Sequence, residues 1–382
     1  MHYRNFGKLG FEVSTFGMGC MRLPQIAEDS PLVDREKAYE MIRYAADNGV
    51  NYFDTAFIYH NMTSEEILGE ALEGGRREKV KIATKLGFNR METNDDIRKN
   101  LEEALRRLRT NYIDVYLIHG IGPGNWEKIK QRKIIEEYEQ FRSEGLIRAI
   151  AFSYHGNFEN FRDVLDFYDW GMCQVQHNFM DIEKEVTAKG IHHAGKKGCA
   201  LVVMEGLRGG NLACPPPAVQ EIYDEYPQKR SGVEWAFRYL LNFPEVSTIL
   251  SGVSSLEQLK DNIAIFSKPD IHAGCLSETE MNIIKCVREK YTSLASIPCT
   301  GCGYCMPCPH GVSISGIFAK LNESIMFGTV EPTRRVYSFY TNAKNDAGQC
   351  AKCGECEPKC PQNIAIIKEL HNAHEKLKGW VG

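Results

Sequence analysis

The sequence predicts an α/β chain: a (β/α)8 TIM barrel followed by a small, mainly helical C-terminal domain. Three observations predict it. Short apolar runs alternate with helical patterns from residue 15 to about 265, the order expected of a parallel sheet covered by helices. Polar groups follow several of those runs, where a barrel collects its chemistry. Finally, eight of the fourteen cysteines crowd between Cys299 and Cys360. The expected division is 1–285 for the barrel and 286–382 for the cysteine-bearing domain.

The candidate strands are FGMG at 16, YFD at 52, VKIATK at 80, DVYLI at 114, IRAIAFS at 147, CQVQ at 173, ALVVM at 200 and VSTIL at 246. Between the first two, REKAYEMIRYAADNG places Ala38, Met41, Ile42, Ala45 and Ala46 on one stripe, and Gly49 is a stop signal. NDDIRKNLEEALRRLRT repeats the pattern, with Asp95 and Asp96 at its start and Arg106, Arg107 and Arg109 near its end, matching the helix dipole. An open doubly wound sheet would need a glycine-rich fingerprint after its first strand. FGMGC supplies only GxG. Past residue 270, SETEMNIIKCVREKY and SISGIFAKLNESIMFG read as helices around the first cysteine group, followed by a polar stretch through 349.

The 382 residues are 43% hydrophobic and 25% charged, enough for a large core and a second domain. Lys plus Arg total 46 against 50 Asp plus Glu, a formal charge of -4 with a pI near 6.3. No basic field exists to attract phosphate backbones, so nucleic-acid binding is not expected. The opening MHYRNFGKLGFEV has no apolar core of a signal peptide, and no run approaches the roughly 18 residues of a membrane span. The expectation is a cytoplasmic protein with no membrane partner.

Asp54 and Tyr59 follow the second strand, Lys85 ends the third and His119 follows the fourth, so a barrel gathers all four on one face. A carbonyl accepting hydride needs a proton on its oxygen, which tyrosine can donate if its developing phenolate is stabilised. Lys85 can supply that field with Asp54 orienting it, and His119 can orient the substrate oxygen or pass a proton to it. Each of the four alone is as easily a packing or surface residue; the joint placement carries the reading. Trp126 reads as a loop-core aromatic.

These segments resemble the aldo/keto reductase family over residues 1 to 270: FDTAFIYH matches its aspartate and tyrosine segment, IATK its lysine strand and VYLIH its histidine strand. The resemblance implies that Asp54, Tyr59, Lys85 and His119 form a catalytic tetrad with tyrosine as proton donor. IRAIAFSYHG, QVQHNFMD, VVMEGLRGG and SGVSSLEQLKDN match family segments around an extended nicotinamide dinucleotide. By that resemblance Ser153, Gln176 and Asn178 lie on the nicotinamide side, and Gly252, Ser254, Gln258 and Asn262 near the phosphate and adenosine. The residues alone say less: an amide such as Asn178 or Gln176 equally satisfies local backbone groups. Two departures stand out. His60 follows Tyr59 where many relatives have glycine, and the Lys and Arg that many NADPH-specific relatives use are replaced by Gly252 and Gln258. NADP(H) is the expected cofactor, with NAD(H) left open.

CTGCGYCMPCP places Cys299, Cys302, Cys305 and Cys308 at x2, x2, x2 spacing. CAKCGECEPKCP places Cys350, Cys353, Cys356 and Cys360 at x2, x2, x3 spacing before proline, the bacterial ferredoxin pattern. Ferredoxin pairs take three ligands from one motif and the last from the other, giving Cys299, Cys302, Cys305 and Cys360 for one [4Fe-4S] cluster and Cys350, Cys353, Cys356 and Cys308 for the second. Four-cysteine zinc is the main competitor; disulfides fit less well without a secretion signal. The region resembles the iron–sulfur extension on one branch of bacterial and archaeal aldo/keto reductases. Cys20, Cys173, Cys199, Cys214, Cys275 and Cys286 show no ligand spacing and read as core or incidental residues.

The expected function is hydride transfer between NAD(P)H and a small carbonyl or alcohol, with two clusters attached. A hydride carries two electrons and a cubane exchanges one, which disfavours direct transfer between them. The alternatives are an oxidoreductase coupled to ferredoxin or another carrier, and an electron-transfer or redox-sensor protein.

Overall fold

The computed structural model describes residues 1–27, 30–87 and 93–379. Among these, the chain forms two compact units. The first comprises Met1–Gly209 and Glu234–Ser277, and the second Gly210–Val233 and Glu278–Gly382.

The first unit opens with an antiparallel hairpin, β1 (Tyr3–Asn5) and β2 (Glu12–Ser14). Eight parallel strands follow: β3 (Phe16–Gly19), β4 (Tyr52–Asp54), β5 (Lys81–Leu86), β6 (Ile113–Ile121), β7 (Ile147–Tyr154), β8 (Met172–Gln176), β9 (Ala200–Met204) and β10 (Val246–Gly252). They close in the order β10-β3-β4-β5-β6-β7-β8-β9. This is the expected barrel, and each strand falls on its apolar run. The hairpin is not among the expected elements, because YRN and EVS are not apolar runs of the kind that mark the barrel strands.

Alternate residues point inward. Tyr52, Ala83, Val115, Leu117, Ala149, Ala151, Met172, Ala200 and Val202 form one buried cluster with Phe6 and Val13. Phe6 sits 5.3 Å from the Tyr52 ring, and the Lys8 N–H bonds to the Gly198 carbonyl just before β9, so the hairpin packs at the N-terminal ends of the strands. Gly17 leaves room for this filling: a Cβ there would lie 2.9 Å from Leu250 and 3.1 Å from Tyr52. The charged groups of the candidate site lie toward the opposite end, although Thr248 and Gln174 are also buried in the barrel.

Around the barrel run α1 (Arg35–Asp47), α2 (Ser64–Ala71), α3 (Asp95–Arg107), α4 (Trp126–Gln131), α5 (Ile134–Ser143), α6 (Phe158–Phe167) and α7 (Thr187–Lys196). Asp34 caps α1 by accepting the Lys37 N–H at 3.2 Å, and Ala38, Met41, Ile42 and Ala45 are buried. The helix ends at Asn48, and Gly49 takes φ 88°, a left-handed conformation that suits glycine. In α3 the buried stripe is Ile97, Leu101 and Ala104.

Then come α8 (Pro217–Asp224), α9 (Gly232–Leu241), α10 (Leu256–Phe266), α11 (Glu278–Ser293), α12 (Ile314–Phe327), α13 (Val330–Asn342) and α14 (Ile366–Leu377). Of these, α8 and α11 to α14 belong to the second unit. Its core joins Val312, Ile314, Ile317, Phe318 and Leu321 to Tyr337, Ile366, Leu370, Ala373 and Leu377. Most of the polar stretch before 349 is thus the helix α13. No helix among the described residues is long and apolar enough to cross a membrane.

Candidate active site and metal centre

The inward register that fills the barrel core continues to its C-terminal end. Two residues beyond Tyr52 stands Asp54, two beyond Ala83 stands Lys85, two beyond Leu117 stands His119 and two beyond Ala151 stands Ser153. The β6 ladder to β7 shifts register between Ile118 and Ile121, around His119, and such irregularities re-aim side chains at barrel rims.

The structure brings the four expected catalytic residues together. Lys85 Nζ donates to Asp54 Oδ1 at 2.6 Å and to the Thr55 carbonyl at 2.8 Å, with both charged side chains buried. The same ammonium lies 5.1 Å from the centre of the Tyr59 ring. Tyr59 and His119 meet edge to face at 6.4 Å.

Their protonation follows from this packing. Burial pushes the Tyr59 phenol above its ordinary range; Lys85 opposes that rise through its charge and a hydrogen bond. Burial disfavours the Lys85 ammonium, yet Asp54 and Tyr59 outweigh it and raise its pKa. Burial also pushes Asp54 upward, with Lys85 pulling it back. His119 is pushed down to about 3 by burial, then by Lys85 and His155. At neutral pH the site therefore holds a protonated phenol, a neutral imidazole and a buried ion pair.

His155 is not among the sequence candidates, although it directly follows the end of β7; His119 itself lies inside β6, two residues before its end. Cys20, expected to be a core or incidental residue, is buried, and its N–H donates to the Asp54 carbonyl at 2.8 Å. His60 takes φ 49°, followed by Asn61 at 50° and Met62 at 71°, a left-handed run that explains why glycine suits its position. Its Nε2 accepts the Leu23 N–H at 3.0 Å, tying together the loops after β3 and β4. On those two loops Met21, Ile26, Leu32, Ile58 and Met62 are 45% to 59% exposed, an apolar rim in which Ile58 and Met62 flank Tyr59 in the chain. Trp126 is buried and packs edge-on against Phe167 at 5.2 Å.

The expected dinucleotide residues behave differently from one another. Ser153 is buried, and its Oγ accepts the Gly120 N–H at 2.8 Å. Gln176 is half-buried at the end of β8. Asn178 is occupied internally: its Oδ1 accepts the N–H groups of Met180 and Asp181, and its Nδ2 donates to Asp181 and the Glu205 carbonyl. Gly252 ends β10 against the Arg22 side chain, where a Cβ would come within 3.3 Å. Gln258 Oε1 accepts the Ser254 N–H at 2.9 Å, and Asn262 Nδ2 donates to Ser251 Oγ at 3.1 Å, fixing the turn that opens α10.

In the second unit the fourteen-cysteine chain keeps its motif thiols free and gathered in two places. Cys299, Cys302, Cys305 and Cys360 line one hollow with Phe318 and Ile366. Cys308, Cys350, Cys353 and Cys356 line a second hollow, to which Cys305 also reaches. Among the described residues no three His, Cys, Asp or Glu side chains converge to hold a single metal ion. Tetrahedral zinc, with bonds of about 2.3 Å, would need its thiolates about 3.8 Å apart. A four-iron cube binds each thiolate at a different corner and spaces them more widely.

A model of the aldo/keto reductase family matches residues 15–285. The chain belongs to the aldo/keto reductase family. A model of a 4Fe-4S dicluster domain matches residues 298–365, so the expected pairing of the two domains is present. The chain is 27% identical to the uncharacterized oxidoreductase YqkF of Bacillus subtilis over 292 residues, 69% of this chain and 90% of that one. It is 25% identical to L-galactose dehydrogenase of Arabidopsis thaliana over 294 residues, covering 68% and 86%. The holo form of aldo-keto reductase AKR11C1 from Bacillus halodurans superposes with a TM-score of 0.62 at 26% identity, covering 75% of this chain and 96% of that one. As an aldo/keto reductase the protein is an oxidoreductase enzyme, and its family supports NAD(P)H-linked hydride transfer.

Proposed function

We propose that the protein interconverts a small carbonyl compound and its alcohol with NAD(P)H, using Tyr59, Lys85, Asp54 and His119. The observation that carries this reading is the buried Asp54–Lys85 pair at 2.6 Å beside a phenol that burial keeps protonated. The bound nicotinamide supplies or takes up hydride. Tyr59 gives its proton to the substrate oxygen in the reduction direction and recovers it in oxidation. Lys85 stabilises the phenolate that this leaves, and Asp54 keeps Lys85 charged and aimed. Neutral His119 holds the substrate oxygen by a hydrogen bond, since its low pKa leaves no extra proton to give.

The polar groups at the barrel mouth fit a dinucleotide. Ser153 and Gln176 stand at the inward ends of neighbouring strands, with Asn178 shaping the loop beyond them. Ser254, Gln258 and Asn262 brace the N-terminal turn of α10 beside Gly252, where main-chain N–H groups suit phosphate. NADP(H) is the assigned form, with NAD(H) as the comparison in the test.

The eight motif cysteines are assigned to two [4Fe-4S] clusters, Cys299, Cys302, Cys305 and Cys360 holding one and Cys308, Cys350, Cys353 and Cys356 the other. Two separate thiol-lined hollows support this partition over a zinc knuckle. Such clusters supply one-electron exchange, which makes ferredoxin or a similar carrier the kind of partner to test.

The decisive experiment is anaerobic purification, iron and sulfide analysis, and NADH and NADPH oxidation against a panel of small carbonyls. Turnover that needs Tyr59 but survives loss of iron supports the assignment. Clusters present with no turnover on any carbonyl would instead favour an electron-transfer protein.

A further inference from the structure

We propose that Asn322 and Tyr337 are positioning residues that each fix the first cysteine of one motif, so that the two clusters are seated by separate latches. This rests on the reading of the eight cysteines as ligands of two clusters. In both motifs the same three-part arrangement recurs: a helix side chain holds a residue shortly before the first cysteine, and that residue's carbonyl accepts the cysteine's own N–H.

In the first motif the held residue is Ile297. Asn322, on α12 and nine-tenths buried, accepts the Ile297 N–H at 2.9 Å and donates to the Ile297 carbonyl at 2.7 Å. That carbonyl also accepts the Cys299 N–H at 2.8 Å. A carboxamide is the side chain that can do this, because it presents one acceptor and one donor side by side to a single residue's backbone. The helix thereby sets the peptide from which the first ligand projects.

In the second motif the held residue is Ala347. Tyr337, on α13 and buried, accepts the Ala347 N–H at 2.9 Å, and the Ala347 carbonyl accepts the Cys350 N–H at 3.2 Å. The phenol is itself held by His374 Nδ1 of α14 at 3.0 Å. Buried Asp346 completes the turn, accepting the Gly348 N–H at 2.7 Å and the Gln349 side chain at 3.1 Å. Gly348 packs closely here: a Cβ would lie 2.7 Å from Asp346 Oδ1 and 2.9 Å from the His374 ring, so a larger residue would displace one of these side chains.

The two latches share no residue, and both are polar groups buried in the unit's apolar core. Burial is why they matter. A buried donor or acceptor left unpaired costs more than the bond contributed, so each approach segment has one favoured position, and the thiolate at its end inherits it. Hydrogen bonds that orient a metal ligand from behind in this way commonly tune metal affinity by an order of magnitude or more.

The test uses the full chain, purified anaerobically and reduced with dithionite so that each cluster enters its paramagnetic one-electron-reduced state, with two near-isosteric variants. Asn322→Asp keeps the acceptor for Ile297 and removes the donor, while Tyr337→Phe removes the hydroxyl and keeps the ring. Cys302→Ser and Cys353→Ser assign the electron paramagnetic resonance signals of the first and second clusters. Asn322→Asp is expected to shift only the signal that Cys302→Ser removes, and to release that cluster's iron to a chelator about tenfold faster. Tyr337→Phe is expected to do the same only for the other signal. Variants that disturb both signals equally, the same signal, or neither would overturn the latches while leaving the clusters in place. A wild-type protein without iron and sulfide would overturn the cluster reading itself, and the proposal with it.

Discussion

Removing either member of the Asp54–Lys85 pair should destabilise the barrel more than removing both. At 2.6 Å and an effective dielectric of about 20, the attraction is about 6 kcal/mol before desolvation is subtracted. Both side chains are buried, so Asp54→Asn leaves an ammonium without its counter-charge and Lys85→Met leaves a carboxylate, each costing about 3 to 5 kcal/mol. The double variant buries no charge and should lose only about 2 kcal/mol, a coupling of about 4 to 8 kcal/mol. Urea denaturation followed by tryptophan fluorescence suits the measurement, since buried Trp126, Trp170 and Trp235 all lie in the first unit. Turnover should fall at least about a hundredfold in all three variants, because the double variant recovers packing but not the field on Tyr59. Additive losses would refute the coupled pair, and near-wild-type turnover in Lys85→Met would refute its catalytic role.

Tyr59→Phe should lower kcat about 10² to 10⁴-fold, the usual range for losing a general acid, with cluster iron unchanged; turnover retained in the variant would remove Tyr59 from the mechanism. Acid should weaken the barrel through two buried imidazoles, His119 held at about 3 and His177 at about 4, chiefly by burial. Between those values and the unfolded pKa near 6.5 the unfolded chain binds more protons, so their contribution is complete above about pH 6.5 and lost as pH falls toward 4. Denaturation midpoints from pH 7.5 to 5 test this: they should fall, and less so in His177→Phe. The apolar rim of Met21, Ile26, Leu32, Ile58 and Met62 predicts that kcat/KM rises along a series of straight-chain aldehydes, by at most about fourfold per added methylene. A flat series would mean that the rim does not meet substrate.

The barrel strands were legible because each is covered on both sides, leaving unbroken apolar runs such as ALVVM. The catalytic candidates were legible for the same reason, since a lone polar group just past such a run has one end of a barrel to occupy. Elements with weaker patterns escaped. Helix α13 buries only Thr333 and Tyr337, too little to show a stripe. In contrast, α14 buries Ile366, Leu370, Ala373 and Leu377 at regular helical spacing, a signal that was present and unread. What no local pattern could reveal were pairings made in space: His60 with Leu23, His155 beside His119, and Asn322 with Ile297 across 25 residues.

The chain passes between the compact units three times, after Gly209, after Val233 and after Ser277. No single cut can therefore separate a self-sufficient reductase from a self-sufficient iron–sulfur module. A truncation at Ser277 would orphan residues 210–233, whose α8 side chains Val219 and Tyr223 are buried, and would discard α11, the helix packed beside them. Engineering the reductase in isolation would call for rebuilding that excursion, and chimeras that exchange the tail would have to carry the excursion along.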